Sequence, residues 1–141
     1  MKLIVWLGNP WNNYENTKHN VWFMFLDWLK TEFKNGYTFQ KVDVRGKVFI
    51  EYVPIESSWL PLIGENFMVI NCFWVSGQFK GQGNGKKLLE QCIKDAKGMD
   101  GIVAISSDKK RPFMTDPKFL EHQGFEIIDE AKPYFKLWAL K

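Results

Sequence analysis

The pattern of apolar and polar positions is clearest between residues 67 and 107. Residues 67–75 form an apolar run of strand length, rich in β-branched and aromatic residues, and residues 101–107 form a second run of this kind. Between the two runs, apolar residues recur at helical spacing and Gly98 offers a stop, which predicts an amphipathic helix. Its predicted apolar face consists of Leu88, Leu89, Cys92, Ile93 and Ala96. The pattern as a whole indicates a βαβ unit with two parallel strands.

The flanking sequence predicts a larger sheet around this unit. Alternation in residues 37–43 and 47–54, across a short turn, predicts a hairpin, and residues 125–131 and 134–140 read as two final strands. The remaining predicted elements are a strand at 2–7, a largely buried helix at 21–33, a loop at 55–65 and a short helix at 118–123. We therefore expect a mixed α/β (α+β) sheet with interspersed helices.

Composition and charge narrow the functional classes. A chain of 141 residues, 45% hydrophobic and 25% charged, predicts one compact domain spanning 1–141. The net charge of +3 arises entirely from residues 66–141, which favours a small polyanionic ligand over an extended nucleic-acid surface. Two cysteines in apolar contexts indicate buried thiols in a reducing compartment. Because the first apolar run is too short for a signal peptide or a membrane span, a cytoplasmic location is expected, with no membrane partner and no metal site.

A glycine-rich loop joins the central strand to the helix. Gly81, Gly83 and Gly85 alternate along it, and lysines flank them. A helix N-terminus presents unpaired N–H groups and a partial positive charge, and glycines let an anion approach closely, so we predict a pyrophosphate site. A plain turn is the alternative. The Gly-Lys-Ser/Thr of a P-loop is absent because Lys87 follows Lys86, and no suitably placed acidic residue supports a dinucleotide fold.

The sequence KGQGNGKKLL, preceded by an aliphatic strand and followed by FLEHQGFE, resembles the acetyl-CoA site of GNAT-type N-acetyltransferases. In that family a Q/R-x-x-G-x-G/A loop cradles the pyrophosphate of coenzyme A. The chain matches it at Gly83 and Gly85, with Lys80 where Gln or Arg is usual. The resemblance covers about residues 26–141. It implies a GNAT-like mixed, largely antiparallel sheet with a central splayed parallel strand pair and flanking helices.

The resemblance also implies an activity and a set of site residues. The activity is transfer of an acetyl group from acetyl-CoA to an amine of a small molecule or peptide. The pantetheine arm would lie between the splayed strands, and a backbone N–H near Phe73 would stabilise the oxyanion. The acceptor side would be built from residues 10–35 and 55–65. Carried over by position, the coenzyme-binding residues are Trp74, Val75, Lys80, Gly81, Gln82, Gly83, Asn84, Gly85, Lys86, Ser106 and Ser107.

The proton carriers are less directly implied. The family's usual tyrosine, four residues before the Gly-Phe pair, is replaced by Leu120. Substitute candidates are Tyr134, His122, Cys72 and Glu51. Each has a structural alternative, as a sheet aromatic, a helix-end residue, a core thiol or an outward strand residue. The run 109–111 (KKR) is more typical of a solvated loop than of a phosphate clamp. A coenzyme-binding module without turnover stays open.

The N-terminal segment MKLIVWLGNPWNNYENTKHNVWFMFLD carries a second resemblance, to the start of bacterial peptidyl-tRNA hydrolase. It rests on LGNP at 7–10 and HNV at 19–21, and implies Asn9 and His19 as active-site residues. Tryptophans stand where that family has glycine, at Trp6, Trp11 and Trp22. Hydrolysis of an RNA-linked ester is therefore the alternative activity, and a separate origin for residues 1–27 is a hypothesis.

Overall fold

The computed structural model describes residues 27–112 and 114–141. Its strands are β1 (Thr38–Lys41), β2 (Val48–Pro54), β3 (Phe67–Val75), β4 (Gly101–Ser107), β5 (Glu126–Ala131) and β6 (Phe135–Leu140). Its helical segments are α1 (residues 27–34), α2 (Asn84–Asp95), α3 (Pro117–His122) and two 3-10 turns, Ile55–Ser57 and Gly77–Phe79. The predicted strand 2–7 and the first part of the predicted helix 21–33 lie outside the described residues.

The strands form one six-stranded sheet in the order β1-β2-β3-β4-β6-β5. Among the described strands, only β3 and β4 pair in parallel, and the other four pairings are antiparallel. The α2 helix joins the two parallel strands, so the predicted βαβ unit is present. The predicted hairpin is present as β1 and β2, with Thr38 opposite Tyr52. The expected fold class, a mixed and largely antiparallel sheet with a central parallel pair, is confirmed.

The buried apolar residues that the structure describes form two clusters, one on each face of the sheet. The larger cluster joins β2, β3, β4 and β6 to α2 and α3, and Leu120 at its centre is fully buried. The smaller cluster contains Val53, Ile55, Val69, Val103 and Ala139. The strands β2, β3, β4 and β6 supply both clusters because successive side chains of a strand point to opposite faces.

The β3 strand changes phase along its length. Met68 and Ile70 belong to the larger cluster, and the next member of that cluster on β3 is Phe73, three residues on. The register with β2 explains the change, since Ile70 is opposite Tyr52 but Cys72 is opposite Glu51. One extra residue, Asn71, is thus inserted in β3 as a β-bulge.

The α2 helix lies on the face of the larger cluster. Leu88, Leu89, Cys92 and Ala96 are buried there as predicted, but Ile93 is 45% exposed, so its assignment to the apolar face was wrong. At 100° per residue, Ile93 falls at the margin of the stripe centred on Leu89 and Cys92. No described helix has the length and apolar character that a membrane span needs.

A buried polar chain attaches α2 to the sheet. The Tyr52 hydroxyl donates to the Asp95 carboxylate and accepts from the Gln40 side-chain amide. Gln91 donates to the other Asp95 oxygen at 2.9 Å. Tyr52 is fully buried, and burial together with the Asp95 hydrogen bond raises its pKa. The pairing satisfies a hydroxyl that would otherwise be costly in the core.

Candidate functional site

The two parallel strands separate part of the way along their length. Pairing between them extends from Phe67↔Gly101 to Ile70↔Ala104 and then stops. On their outer sides both strands stay paired to the end, β3 with β2 as far as Val75 and β4 with β6 as far as Ser107. Residues 71–75 and 105–107 therefore border a gap, across which backbone groups are available to a ligand. This is the predicted splayed strand pair.

The glycine loop lies at the open end of this gap and continues into α2. Gly81 and Gly83 have φ of +72° and +77°, a region that L side chains rarely adopt, and a Cβ at either would meet no atom within 4 Å. No side chain caps α2. Within the described part of the chain, the N–H groups of residues 81–86 donate to no acceptor. They form a continuous set of donors around the positive end of the helix dipole.

Two lysines from different loops meet beside these donors. Lys80 precedes the glycines, and Lys110 follows β4. Their ammonium groups are close enough that the Lys110 side chain is the main cause of a lowered pKa at Lys80. Asp116, whose carboxylate is 3.9 Å from the Lys110 Nζ, partly offsets this effect. Two cations held together on the surface make a favourable position for a multivalent anion.

The remaining residues of the loop hold its shape. The Gln82 and Asn84 side-chain amides donate to the carbonyls of Gln78 and Phe79, at 2.9 and 3.2 Å. Gly85 is buried, and a Cβ there would come within 3.1 Å of the Phe119 ring. Gly85 therefore allows α2 and α3 to pack closely, in addition to any contact with an anion. Lys86 is exposed in the first turn of α2.

Ser106 and Ser107, the predicted residues at the end of β4, form hydrogen bonds with the loop that follows the strand. Ser106 and Ser107 are fully buried. The Ser106 hydroxyl donates to the Thr115 carbonyl, and the Ser107 hydroxyl donates to the Lys109 carbonyl at 2.6 Å. Both hydroxyls therefore position the loop that carries Lys110.

A cavity of about 730 Å³ is also lined by that loop, with Lys110 and Asp116 among its lining residues. It opens between the loop, α3 and the β5–β6 hairpin, and its lining includes Asp108, Glu121, Ile127 and Lys136. Charges of both signs are intermixed in this lining, so it does not select for an anion in the way that the glycine loop does.

On β3, the predicted Trp74 and Val75 border the strand gap. Trp74 is 37% exposed and Val75 packs against the larger core cluster. Their outer edges pair with Phe49 and Val48 of β2, while the inner edges have no strand partner. The positions suit backbone contacts with an extended ligand.

The predicted proton carriers are spread over the fold. Tyr134 lies beside the C-terminal end of β4, where its carbonyl accepts from Asp108 and the Arg111 guanidinium lies 3.9 Å from its ring centroid. His122 is exposed at the last turn of α3, the opposite end of that helix from Asp116. Cys72 lies on β3 at the start of the gap. Cys72 thus borders the gap, whereas Tyr134 lies on the β6 side of β4, one strand away from the gap, and His122 lies at the far end of α3.

Cys72 belongs to a small cluster of titratable groups on β2, β3 and the start of β1. It is directly opposite Glu51 in the strand register, and Tyr37 interacts with the same carboxyl group. Burial raises the pKa of all three, and the Glu51 charge raises the pKa of Cys72 and Tyr37 further. Cys72 is therefore held as a thiol, whereas Glu51 becomes a stronger proton acceptor than an exposed glutamate.

Three residues of this site were not predicted from sequence. Lys110 lies in a basic run whose position relative to Lys80 depends on a long loop, and Tyr37 is a single residue before a short strand. Asn71 had a visible signal, since it is the one carboxamide within the apolar run of β3. Among the described residues, no group of His, Cys, Asp and Glu side chains could hold a metal ion.

Comparison with known proteins supports both halves of the sequence interpretation. The chain is 51% identical over 115 residues to a Bacillus subtilis protein named as an uncharacterized N-acetyltransferase, YoaP, and this match covers 80% of the chain and 46% of YoaP. A solved structure from Desulfovibrio desulfuricans, titled as an acetyltransferase of the GNAT family, superposes with a TM-score of 0.60 at 18% identity. It covers 92% of this chain and 84% of that one.

The second resemblance is also found. The family model for peptidyl-tRNA hydrolase matches residues 3–63. The peptidyl-tRNA hydrolase of Fervidobacterium nodosum is 36% identical over 67 residues, covering 46% of the chain and 36% of that enzyme. The chain thus spans less than half the length of either curated relative. Asn9 and His19 lie outside the described residues, while residues 38–54 of the matched region form β1 and β2 of the sheet. Both predicted resemblances are therefore confirmed, and the chain is a GNAT-fold protein whose N-terminal part is similar to peptidyl-tRNA hydrolases.

Proposed function

We propose that the protein is an N-acetyltransferase that transfers the acetyl group of acetyl-CoA to an amine of a small molecule or peptide. The observation that carries the proposal is the gap between β3 and β4, which leads directly to a glycine loop with unpaired N–H groups. The sequence similarity to YoaP and the GNAT fold support the same activity. Free thiols at Cys72 and Cys92 are in keeping with a reducing, cytoplasmic setting.

The residues present fit coenzyme A in charge and shape. Six successive N–H donors, from residue 81 to residue 86, suit a pyrophosphate at the start of α2. Lys80 and Lys110 add two cations whose mutual repulsion a phosphate would relieve. The bound coenzyme would supply an activated acetyl thioester. The backbone of residues 71–75 would hold its extended arm by strand-like hydrogen bonds.

The chain's own groups provide a route for the protons. Attack of a neutral amine on the acetyl carbon forms the amide N–C bond and breaks the C–S bond. The proton lost by the amine passes to the Glu51 carboxylate, which burial makes more basic. The Tyr134 hydroxyl would donate a proton to the departing thiolate and would regain one from water. A backbone N–H near Phe73 stabilises the developing oxyanion.

A direct test measures free thiol released from acetyl-CoA with a panel of amines, and measures coenzyme A binding by calorimetry. We expect binding together with amine-dependent thiol release. Binding without release from any amine would instead favour a coenzyme-binding module, and absence of binding at millimolar coenzyme would refute the proposal. The variant Gly83→Asp places a negative charge at the start of α2 and should weaken coenzyme A binding. Gly77→Asp is its matched control, because a side chain at Gly77 meets nothing within 4 Å and needs no left-handed backbone.

Peptidyl-tRNA hydrolysis is a second candidate, which the family match over residues 3–63 favours. The residues that would carry it are Asn9 and His19. Release of the peptide from a peptidyl-tRNA, lost in His19→Ala but retained in Gly83→Asp, would establish it. Acetyl transfer that is lost in Gly83→Asp but retained in His19→Ala would show that the hydrolase residues are not the source of acetyl transfer.

A further inference from the structure

Asn71 is a polar residue with no partner in a strand that is otherwise largely apolar. Both its Nδ2 and its Oδ1 are buried, and neither has a hydrogen-bond partner in the described part of the structure. Buried side-chain amides in native proteins are nearly always satisfied, so two orphaned atoms on one carboxamide need an explanation.

The position of Asn71 is special on both edges of β3. Towards β2 it is the extra residue of the β-bulge, since its neighbours Ile70 and Cys72 take the two successive partners. Towards β4 it is the first residue beyond the last pair, Ile70↔Ala104. Asn71 therefore lies where the gap between the strands begins, and a bulge at this point redirects its side chain.

Two structural explanations for an asparagine here do not apply. Asparagine is often chosen for a left-handed backbone, but among the described non-glycine residues only Asn66 has positive φ. Asparagine also caps turns by bonding to nearby backbone, and the Asn71 side chain makes no such bond. An apolar residue would fill the same space without two unpaired polar atoms.

We propose that the Asn71 carboxamide binds the amide groups of the ligand that occupies the gap, donating from Nδ2 to the carbonyl of one amide and accepting the N–H of another at Oδ1. The N–H and C=O of a trans secondary amide point in opposite directions, so one such amide meets only one of the two atoms, and a ligand with two amides can satisfy both. The pantetheine arm of coenzyme A contains two such amides, and a thioester carbonyl can only accept. Asn71 is thus a specificity residue for pantetheine-bearing ligands. This assignment rests on the proposed function.

The geometry allows the pairing. Asn71 is partly exposed as a residue although its amide atoms are not, and its backbone borders the gap. In the free protein the amide has nothing to hold it in place, and a change of side-chain rotamer is enough to turn it towards a ligand. The amide then exchanges a buried, unpaired state for two hydrogen bonds.

The test uses Asn71→Leu, which keeps the size of the side chain and removes both polar atoms. We expect the melting temperature of the free protein to rise by about 3 °C, because the unpaired amide is gone. We expect coenzyme A to bind at least about tenfold more weakly and adenosine 3′,5′-bisphosphate, which lacks the arm, to bind unchanged. A rise in stability together with a loss of affinity is a pattern that a purely structural role for Asn71 would not produce.

Two further variants make the test conclusive. Asn71→Ala should lose the same affinity without the gain in stability, since it leaves a cavity. Gln91→Leu removes a carboxamide that already has a partner on α2, and should leave coenzyme A affinity unchanged. If the wild-type protein binds coenzyme A and Asn71→Leu binds it equally well, or loses both ligands equally, or melts at a lower temperature when free, this inference is overturned and the proposed function is not. If the wild-type protein does not bind coenzyme A, both are overturned.

Discussion

Substitution of Gly83 can separate the backbone role of the glycine loop from its electrostatic role. Gly83 has φ of +77° at the residue before α2, and a Cβ there would lie in open space. Gly83→Ala therefore adds backbone strain of about 1–2 kcal/mol and little else. With an unfolding entropy of about 2.1 cal/mol/K per residue, each kcal/mol corresponds to roughly 3 °C in a chain of this size. We expect Gly83→Ala to melt about 3–6 °C below the wild-type protein.

Gly83→Asp adds the same strain and a negative charge at the helix N-terminus. That charge interacts favourably with the dipole of α2 by about 0.3–1 kcal/mol, so the loss of stability should be smaller than for alanine. The effect of this charge on a bound phosphate is unfavourable. Two unit negative charges about 5 Å apart at an effective dielectric constant of about 20 repel by about 3 kcal/mol. We expect Gly83→Asp to bind coenzyme A at least about a hundredfold more weakly, and Gly83→Ala no more than about tenfold.

Thermal melting of the free proteins and calorimetric titration with coenzyme A measure the two effects independently. Gly77→Asp places the same charge on the same loop without left-handed strain, and should weaken binding only slightly because the charge is screened. Equal loss of affinity in Gly83→Ala and Gly83→Asp would refute the electrostatic reasoning. Unchanged affinity in both would show that the phosphate binds elsewhere.

Three other predictions follow from contacts of the site and the core. Lys80→Ala and Lys110→Ala should each weaken coenzyme A binding about tenfold and flatten the dependence of log Kd on log salt. If one anion bridges both lysines, the double variant should lose less binding free energy than the sum of the single losses. Strictly additive losses would contradict a shared anion. Glu51→Gln should lose acetyl transfer but gain stability at neutral pH. A raised pKa in the folded state means that Glu51 favours folding below its ordinary pKa of 4.5, and this contribution is lost as the pH rises through the raised value. The dependence of the melting temperature on pH above 4.5 should therefore be weaker in the variant. An unchanged dependence would disprove this reasoning. Tyr52→Phe should lower the free energy of unfolding by roughly 2 kcal/mol and the melting temperature by about 6 °C, because the Asp95 carboxylate and Gln40 lose their partner. The affinity for coenzyme A should stay the same. A loss of affinity without destabilisation would contradict the structural role.

Much of the local structure was available from sequence because it depends on neighbouring residues. The bounds of β3 and β4 were predicted to the residue, since each is a short apolar run with polar residues directly before and after it. The start of α2 followed from the glycines, two of which do have the left-handed backbone that glycine alone adopts readily. The α2 face was predicted except for Ile93, where a margin position was taken for a buried one.

The candidate site was only partly available in this way. The glycine loop could be recognised because its donors come from consecutive residues. The neighbouring cation Lys110 could not, because its approach to Lys80 depends on how Ser106 and Ser107 hold the loop after β4. Glu51 was one of several candidate proton carriers, and its location opposite Cys72 depends on the β2–β3 register.

The sequence by itself determined the strand, glycine loop and helix that would hold a phosphate, because hydrophobic period, glycine and chain order are local properties. The tertiary structure decided that β3 and β4 separate after Ile70 and Ala104, and that the bulge places Asn71 at that point with its amide unpaired. These features depend on which residues of distant segments are paired across the sheet, and pairing register is set by packing of the whole core and not by any one stretch of the chain.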